Sequence, residues 1–290
     1  MRPRFWLSAL LVAAAFATGP GASQSQADDG FKLPVYDNPL HEGRLMRGSR
    51  NIRAAWFSDP MTDYAHHALG GEAEPRTLVV STDKRVVLRL TLPADSVFED
   101  REPRIVDVDG DGTDEIVVIR SYITKGSVLA IAAVGQTGLG IVAETEPSGM
   151  PFEWLNPAGF GDFDGDGKPD IAVVRRPHDL GQLEIYTLRG RRLERILTVD
   201  DVSNHRQGNR DTHLSLVQDF DGDGVVDLAI PTFDRHILQI LSFKGRRVRD
   251  LDRIYLNARA SENFSFVTRR GQEMMAIGIG GGRKQYVRLR

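Results

Sequence analysis

The sequence DFDGDGKPD, residues 162–170, has two close copies in this chain, DVDGDGTDE at residues 107–115 and DFDGDGVVD at residues 219–227. The copies start 55 and 57 residues apart, so they mark a repeat. Each copy places carboxylates at positions 1, 3, 5 and 9 and glycines at positions 4 and 6. Acidic side chains this close repel one another unless they share a hard cation with oxygen ligands, such as Ca²⁺. The pattern therefore predicts about three calcium ions.

The predicted ligands are the carboxylates at positions 1, 3, 5 and 9, together with the backbone carbonyl of position 7. Glycine at position 6 allows the left-handed backbone that curls the loop around the ion. By this pattern the ligands are Asp107, Asp109, Asp111, Thr113 and Glu115 in the first loop, Asp162, Asp164, Asp166, Lys168 and Asp170 in the second, and Asp219, Asp221, Asp223, Val225 and Asp227 in the third.

The residues around the loops argue against an EF-hand. An EF-hand needs a Glu at position 12 and a helix on either side, whereas position 12 here is Val118, Val173 or Ile230. Short, mostly β-branched apolar runs follow each loop, which is typical of buried strands. Each loop is therefore predicted to join two strands. The simpler alternative, that the loops are solvated acidic turns, explains one copy better than it explains three.

A strand, the motif D-x-D-G-D-G-x-x-[D/E] and a second strand, repeated at this interval, resemble the FG-GAP/VCBS repeat family, best known from the propellers of integrin α subunits. The resemblance covers the three loops and the strands around them. It implies an all-β fold, a β-propeller in which the loops between the first two strands of a blade bind calcium. It implies no particular ligand.

Five repeats can be aligned, near residues 52–100, 103–150, 158–205, 214–260 and 264–290, and they predict five four-stranded blades. In the first repeat, residues 52–57 are predicted to be the first strand. An insertion, residues 58–76, then stands where other repeats hold calcium, and we expect a plug on the calcium face. The last repeat has only three strands. We therefore predict that the N-terminal segment, residues 31–47, supplies its missing outer strand and closes the ring.

The start of the chain predicts export. Residues 1–27 have a short basic segment, an apolar run of 13 residues and a small, polar stretch, which is the pattern of a secretory signal peptide. The alternatives are an uncleaved anchor and a buried helix. The remaining chain, residues 28–290, is expected to form one propeller with no membrane span, located in the periplasm or outside the cell. The sequence has no cysteine, so calcium would have to stabilise the fold without disulfides.

Charge suggests a partner. Outside the signal segment and the three loops, 34 basic residues face 27 acidic ones. This balance favours an anionic glycan, lipid head group or protein. The loops opposite the calcium loops form the noncalcium face, where propellers usually bind ligands. Candidate ligand-binding residues there are Trp154, Arg175, Arg176, His178, His205, Arg210 and His213.

Histidines on the noncalcium face suggest pH dependence. With an ordinary pKa of about 6.5 they would gain charge and tighten anion binding as the pH falls. The competing interpretation is that the arginines there are paired with Asp179, Asp201 and Asp211.

Two classes of function remain open. The first is an exported calcium-binding β-propeller that acts as a binding or scaffold module. The alternative is a propeller-fold hydrolase or lyase that uses His178, His205 or His213 with Asp179 or Asp211. The sequence has neither a G-x-S-x-G motif nor a cysteine nucleophile. Nucleic-acid binding is not expected, because the basic turns carry no interleaved aromatic residues.

The insertion contains adjacent histidines, His66 and His67, which could ligate a transition metal. Adjacent side chains seldom reach one ion, so a structural role is favoured for them.

Overall fold

The computed structural model describes residues 39–289, so the predicted signal peptide and residues 28–38 lie outside the described residues. The described chain is all-β and contains a single short 3-10 turn, Lys244–Arg246. Its strands are β1 (Met46–Arg47), β2 (Ile52–Met61), β3 (Glu74–Thr82), β4 (Val87–Thr91), β5 (Ser96–Phe98), β6 (Arg104–Val106), β7 (Glu115–Tyr122), β8 (Gly126–Gly135), β9 (Gly138–Glu144), β10 (Leu155–Gly161), β11 (Asp170–Arg175), β12 (Gln182–Arg189), β13 (Arg192–Val199), β14 (Leu216–Gln218), β15 (Asp227–Pro231), β16 (Ile237–Ser242), β17 (Arg249–Tyr255), β18 (Glu262–Arg269), β19 (Gln272–Gly278) and β20 (Lys284–Arg288).

The described strands form five antiparallel sheets, each made of consecutive strands. Sheet 1 contains β1–β4, sheet 2 β5–β9, sheet 3 β10–β13, sheet 4 β14–β17 and sheet 5 β18–β20. In sheet 2 both β5 and β6 pair with β7, so together they form one interrupted edge strand. In sheet 3 the acidic loop joins β10 to β11, as predicted, because short apolar runs on either side of a Gly-containing turn are strong local signals for strands.

Apolar side chains on alternate sides of a central strand pack against the two neighbouring sheets. In β7, Ile116 and Val118 pack with Phe57 of sheet 1, whereas Val117 and Ile119 pack with Ile171 of sheet 3. The same alternation joins sheet 3 to sheet 4 and sheet 4 to sheet 5. Each fully buried Val or Ile stabilises the fold by about 2 kcal/mol. Stacked sheets buried on both faces give a propeller-like arrangement.

The prediction for the first strand of sheet 1 was wrong. Residues 52–57 belong to β2, which is the second strand of the sheet, because β1 pairs with it through Met46 opposite Ala55. At the neighbouring sheet, β1 lies beside β6 and β4 lies beside β9. Sequence did not predict this strand, because two residues, Met46 and Arg47, are too few to show a hydrophobic periodicity.

Because β2 is the second strand of its sheet, the insertion lies on the face opposite to the predicted one. Residues 58–76 span the connection between β2 and β3, the second and third strands, so they lie on the noncalcium face rather than the calcium face. A short turn, residues 48–51, takes the place of a calcium loop.

The described part of the N-terminal segment, residues 39–47, also differs from the prediction. It pairs with sheet 1, through β1 and through a bridge between Pro39 and Ser58, and not with the last sheet. Residues 31–38 of that segment lie outside the described residues. Within residues 39–289, β20 pairs only with β19. The extended edge of β2 is the nearer partner in the chain, which favours this local pairing.

Candidate metal centres and the opposite face

The three acidic loops share one backbone shape, fixed by their own side chains. In the second loop, the amides of Gly165 and Gly167 donate to Asp162 at 2.8 and 2.9 Å, and the first and third loops repeat both bonds. The carboxylate at position 9 accepts from the amide at position 2, as Asp170 does from Phe163 at 3.1 Å. The glycines at positions 4 and 6 have φ between +75° and +91°, a region that favours glycine. These loops join strands, as the sequence predicted.

Each loop brings three of its carboxylates together. Ligand oxygens from positions 1, 3 and 9 lie within 4.8 Å of one another in all three loops. The groups are Asp107, Asp109 and Glu115, then Asp162, Asp164 and Asp170, and then Asp219, Asp221 and Asp227. Carboxylate oxygens gathered in this way suit a hard cation of the calcium type.

Two of the groups contain a buried oxygen that has no hydrogen-bond partner among residues 39–289. These atoms are Oδ1 of Asp170 and Oδ1 of Asp227, and both side chains are almost fully buried. A buried carboxylate oxygen left unpaired costs free energy that a bound cation would recover. The residues present therefore fit the cation that the sequence pattern predicts.

The clustered acids shift one another's pKa values. Burial, followed by repulsion from Asp164 and Asp162, raises the pKa of Asp170 to about 7. Burial, with repulsion from Asp109, Asp111 and Asp107, raises the pKa of Glu115 to about 7. Burial likewise raises the pKa of Asp227. Without a cation, the ionised form of these carboxyl groups is therefore disfavoured.

Basic side chains approach every loop from outside it. Arg50, in the short turn after β1, contacts Asp107 at 2.9 Å. Arg246 contacts Asp164 at 2.8 Å, and Arg249 contacts Asp221 at 2.9 Å. They supply part of the positive charge that the acids need.

The aspartates at position 5 stand apart from these groups. Asp111, Asp166 and Asp223 each accept a hydrogen bond from the backbone amide of position 7, that of Thr113, Lys168 or Val225. The roles of positions 5 and 7 as ligands remain predictions.

On the noncalcium face, most of the basic candidates are already paired. Arg176 contacts Asp179 at 2.6 Å and Glu153 at 2.9 Å. Arg175 donates to the carbonyl of Ser148 at 2.6 Å. Arg210 contacts Glu42, and His213 contacts Glu102. The interpretation that acids neutralise these arginines was right for Arg176, and it named the wrong acid for Arg210.

Trp154, His178 and His205 form a packed cluster. Trp154 is 2% exposed, donates from Nε1 to the carbonyl of Glu99 at 2.9 Å, and stacks on His178 with ring centroids 5.8 Å apart. His178 Nε2 lies 2.8 Å from His205 Nδ1, and His205 Nε2 lies 2.9 Å from the carbonyl of Asn209. Burial lowers the pKa of His178 to about 4 and that of His205 to about 3. The predicted gain of charge between neutral and mildly acidic pH is therefore wrong for these two histidines.

The sequence did not reveal a buried charged segment, residues 99–104, between β5 and β6. Within it, Glu99, Asp100, Arg101, Glu102 and Arg104 are all buried. Arg101 pairs with Glu74 at 2.8 Å, and Arg104 pairs with Asp100 at 2.5 Å. A run of charged residues usually forms a solvated loop, so the sequence of this segment does not indicate that it is buried.

Glu99 anchors the insertion. It accepts hydrogen bonds from Tyr64 at 3.1 Å and Ser121 at 2.6 Å, and its Oε1 lies 2.5 Å from His66 Nδ1. His67 instead contacts the carbonyl of Gly71 at 2.8 Å. The two adjacent histidines have separate partners, which agrees with the structural role favoured for them.

The long loop, residues 201–213, crosses the noncalcium face. Gly208 donates to the carbonyl of Ala68 in the insertion at 2.9 Å, and the amide of His213 donates to Oδ1 of Asn263 at 2.9 Å. Asn156 donates to the carbonyls of both Asn204 and Thr212. This loop therefore links the insertion, sheet 3 and sheet 5.

Among residues 39–289, no helix has the length and apolar character needed to cross a membrane.

Comparisons with known proteins bear on the family. The FG-GAP-like repeat model matches residues 107–173 and 162–230. Among curated protein sequences, none matches this chain significantly. Solved structures similar to this chain include the rhamnogalacturonan lyase YesW, at 15% identity and a TM-score of 0.42 over 73% of this chain and 50% of the lyase. They also include the exotype rhamnogalacturonan lyase YesX, at 13% identity and a TM-score of 0.44 over 86% of this chain and 58% of that lyase.

This chain spans between half and three fifths of the length of those lyases, and both likenesses are too distant to transfer an activity. The family match is more specific, since it begins at the first acidic loop and extends just past the third. Residues 107–230 therefore carry FG-GAP-like repeats.

Proposed function

We propose that this protein is an exported calcium-binding β-propeller that acts as a binding or scaffold module. One observation carries the calcium part: Oδ1 of Asp170 and Oδ1 of Asp227 are buried, have no hydrogen-bond partner in the described part of the chain, and lie within acidic groups of the same construction. Bound calcium would neutralise the carboxylates at positions 1, 3 and 9 of each loop. The carboxylates in turn hold the two adjoining strands in register.

Calcium titration tests this proposal. An ion that binds only the folded state stabilises it by about 2.7 kcal/mol per site at a hundredfold excess over Kd. We expect about three ions per chain by calorimetry and a Tm that rises with calcium concentration. Equal Tm values in calcium and in chelator would refute the calcium assignment.

The architecture that we propose is a closed ring of five blades. It is supported by the five consecutive sheets and by the apolar clusters that join each sheet to the next. A compact chain of this length has a radius of gyration of about 18 Å, and an open arc would be larger. Solution scattering distinguishes the two.

Export is proposed from the signal-like pattern of residues 1–27. Cell fractionation of the full chain, beside a chain that begins at residue 28, tests it. Only the full chain should leave the cytoplasm.

A partner would bind on the noncalcium face. An anionic ligand there would have to displace Glu153 and Asp179 from Arg176, or Glu42 from Arg210. These pairs favour a neutral ligand over the anionic glycan, lipid head group or acidic protein that charge counting suggests.

One contact favours a second candidate, a hydrolase or lyase. The buried carboxylate of Glu99 holds Nδ1 of His66, an arrangement that can orient an imidazole as a general base. The pairs predicted from sequence do not form, because His178 pairs with His205 and Asp179 with Arg176. Release of reducing ends or of unsaturated products from a panel of polysaccharides, lost in His66→Ala, would support this candidate.

A further inference from the structure

Five side chains on the noncalcium face form a cluster that we call the aromatic shelf: Tyr64, His66, Phe152, Trp154 and His178. The Phe152 ring centroid lies 5.1 Å from that of His66 and 5.5 Å from that of Tyr64. Trp154, two residues further along, stacks on His178 at 5.8 Å. The segment that carries Phe152 and Trp154 thus lies between the insertion and the loop after β11.

Phe152 is the exposed member of the shelf. It is 48% exposed, and its φ of +65° is unfavourable for a bulky residue. Met150 and Leu180, on the same face, are also exposed apolar side chains. A folded chain normally buries a phenylalanine, so an aromatic ring held outward on a strained backbone is a candidate contact for a ligand.

The ring of His66 is held in place by a hydrogen bond from Nδ1. Its Nδ1 donates to the carboxylate of Glu99, which also receives the Tyr64 hydroxyl. In the neutral ring, Nε2 therefore carries a lone pair. The His66 side chain is about 10% exposed, and within residues 39–289 its Nε2 has no hydrogen-bond partner.

The ring of His178 is also held by a hydrogen bond from one ring nitrogen. The carbonyl of Asn209 can only accept, so Nε2 of His205 carries the proton and Nδ1 of His205 accepts from Nε2 of His178. Nδ1 of His178 is then an acceptor, and in the described part of the chain it has no partner either. Burial, with the nearby His66 contributing, lowers the pKa of His178 to about 4, so the ring is neutral at physiological pH.

The arginines around the shelf already have partners. Arg176 is held by Glu153 and Asp179, and Arg235, whose charge acts on His178, donates to the carbonyls of Ala260 and His205. The site therefore combines an exposed aromatic ring with acceptor nitrogens, and its nearest arginines are already engaged. A ligand that suits it has an apolar face, hydroxyl donors and no net charge.

We propose that the aromatic shelf binds a neutral saccharide. One sugar ring would stack its C–H face on Phe152, and its hydroxyls would donate to Nε2 of His66 and Nδ1 of His178. This inference specifies the ligand class of the proposed binding module and does not depend on the calcium sites.

Binding is tested with the full mature chain in calcium. The probes are neutral hexasaccharides of glucose, mannose, galactose, xylose and arabinose, with hexagalacturonate and a heparin hexasaccharide as acidic probes. We expect binding of at least one neutral probe, with an affinity that changes less than twofold when salt is raised, because no charge is screened.

Variants locate the site. Phe152→Ala should weaken binding about tenfold, as expected for loss of one aromatic contact, and Phe152→Tyr should retain it. Tyr255→Ala is the matched control, because Tyr255 is an aromatic residue that is 78% exposed on β17. It should change the affinity less than twofold.

Three results would overturn the proposal: no binding of any neutral probe, binding of acidic probes alone with loss in salt, or equal binding by Phe152→Ala. The calcium dependence of Tm is measured on the same samples. Failure of the calcium assignment would appear there while saccharide binding persisted.

Discussion

At the scale of single residues, position 9 of the acidic loops separates a metal centre from a solvated turn. Asp170 and Asp227 are almost fully buried, yet within the described residues each keeps one oxygen without a hydrogen-bond partner. Burial raises the pKa of both carboxyls, because a charged form without a cation is poorly solvated there. Their charge therefore stabilises the protein only when an ion is bound.

Asp170→Asn should remove one calcium ion from the measured stoichiometry and lower the Tm in calcium. In chelator the Tm should not fall, because the substitution relieves repulsion with Asp162 and Asp164. Calorimetry and thermal melts in both buffers check this. Asp83→Asn, an exposed acid outside the loops, should change neither quantity. A drop of equal size in both buffers would mean that the side chain is merely structural.

Glu102 provides a pH-dependent contribution. Burial raises its pKa, but hydrogen bonding and attraction from His213, with Arg104 and Arg44, prevail and lower it to about 2. A depressed carboxyl pKa contributes stability above the unfolded value, near 4.5, that is lost as the pH falls towards 2. The contribution is about 3 kcal/mol.

Glu102→Gln should therefore reduce the free energy of unfolding at neutral pH, and the difference from the parent should shrink on acidification below about pH 4. Chemical denaturation at a series of pH values measures it. Glu146→Gln, at an exposed acid, is the control. A difference that stays constant with pH would refute the assignment to this ion pair.

At the scale of elements, the turn Lys244–Arg246 connects two acidic loops. Arg246 contacts Asp164 of the second loop, whose carbonyl also accepts from the amide of Gly245 at 2.8 Å. Lys244 reaches the third loop, with Nζ 3.2 Å from Asp223. One hairpin of sheet 4 therefore contacts acidic side chains of both loops.

Arg246→Ala should destabilise the calcium-free protein slightly and raise the calcium affinity of the second loop by up to about fivefold. The reason is that the Arg246 guanidinium competes with a cation for Asp164, and the metal-free state loses this ion pair. Calcium titrations beside Arg247→Ala, the exposed neighbouring arginine, provide the comparison. Weaker calcium binding in Arg246→Ala would contradict this account.

The insertion and the long loop meet at two glycines. A Cβ on Gly70 would lie 2.4 Å from the carbonyl oxygen of Gly208, and Gly70 has φ +70°. Gly70→Ala should destabilise the protein by more than backbone strain alone, since rigid backbone blocks the new methyl group. Gly190→Ala has a similar φ of +63° and no atom within 4 Å, so it measures the strain alone. Equal Tm losses for the two variants would show that the contact is loose.

At the scale of the whole molecule, long-range polar contacts tie the beginning of the described chain to its centre. Arg44 contacts Glu102 at 3.3 Å, and Glu42 contacts Arg210 of the long loop. The amide of Leu40 donates to the carbonyl of Phe57 at 3.0 Å. Residues 39–47 thus join sheet 1, the buried charged segment and the long loop.

A chain that begins at residue 48 should melt well below one that begins at residue 39, because it lacks β1 and exposes the edge of β2. The longer chain is the control for loss of residues 1–38. Thermal melts in calcium, with light scattering to detect association, measure the effect. If the two chains melt together and stay monomeric, residues 39–47 are dispensable for the fold.

The acidic loops and the strands next to them could be read from the sequence, because both depend on local chemistry. Gly at positions 4 and 6 and Asp at position 1 fix the loop through bonds within six residues, wherever the loop lies in the fold. The continuous apolar run of β11, residues 171–174, likewise predicts a strand buried on both faces.

The noncalcium face was decided by tertiary structure. Nothing local in Met46–Arg47 announces a strand, yet its pairing with β2 places the insertion, and with it His66, on that face. The partners of Arg210 and His213 are Glu42 and Glu102, more than 100 residues earlier in the chain. Sequence alone determined which acidic residues gather into groups that could hold a metal ion, because each group is built from neighbours in the chain. Only the tertiary structure determined which cations are neutralised and which rings remain open, because charge pairing and burial depend on distant segments brought together.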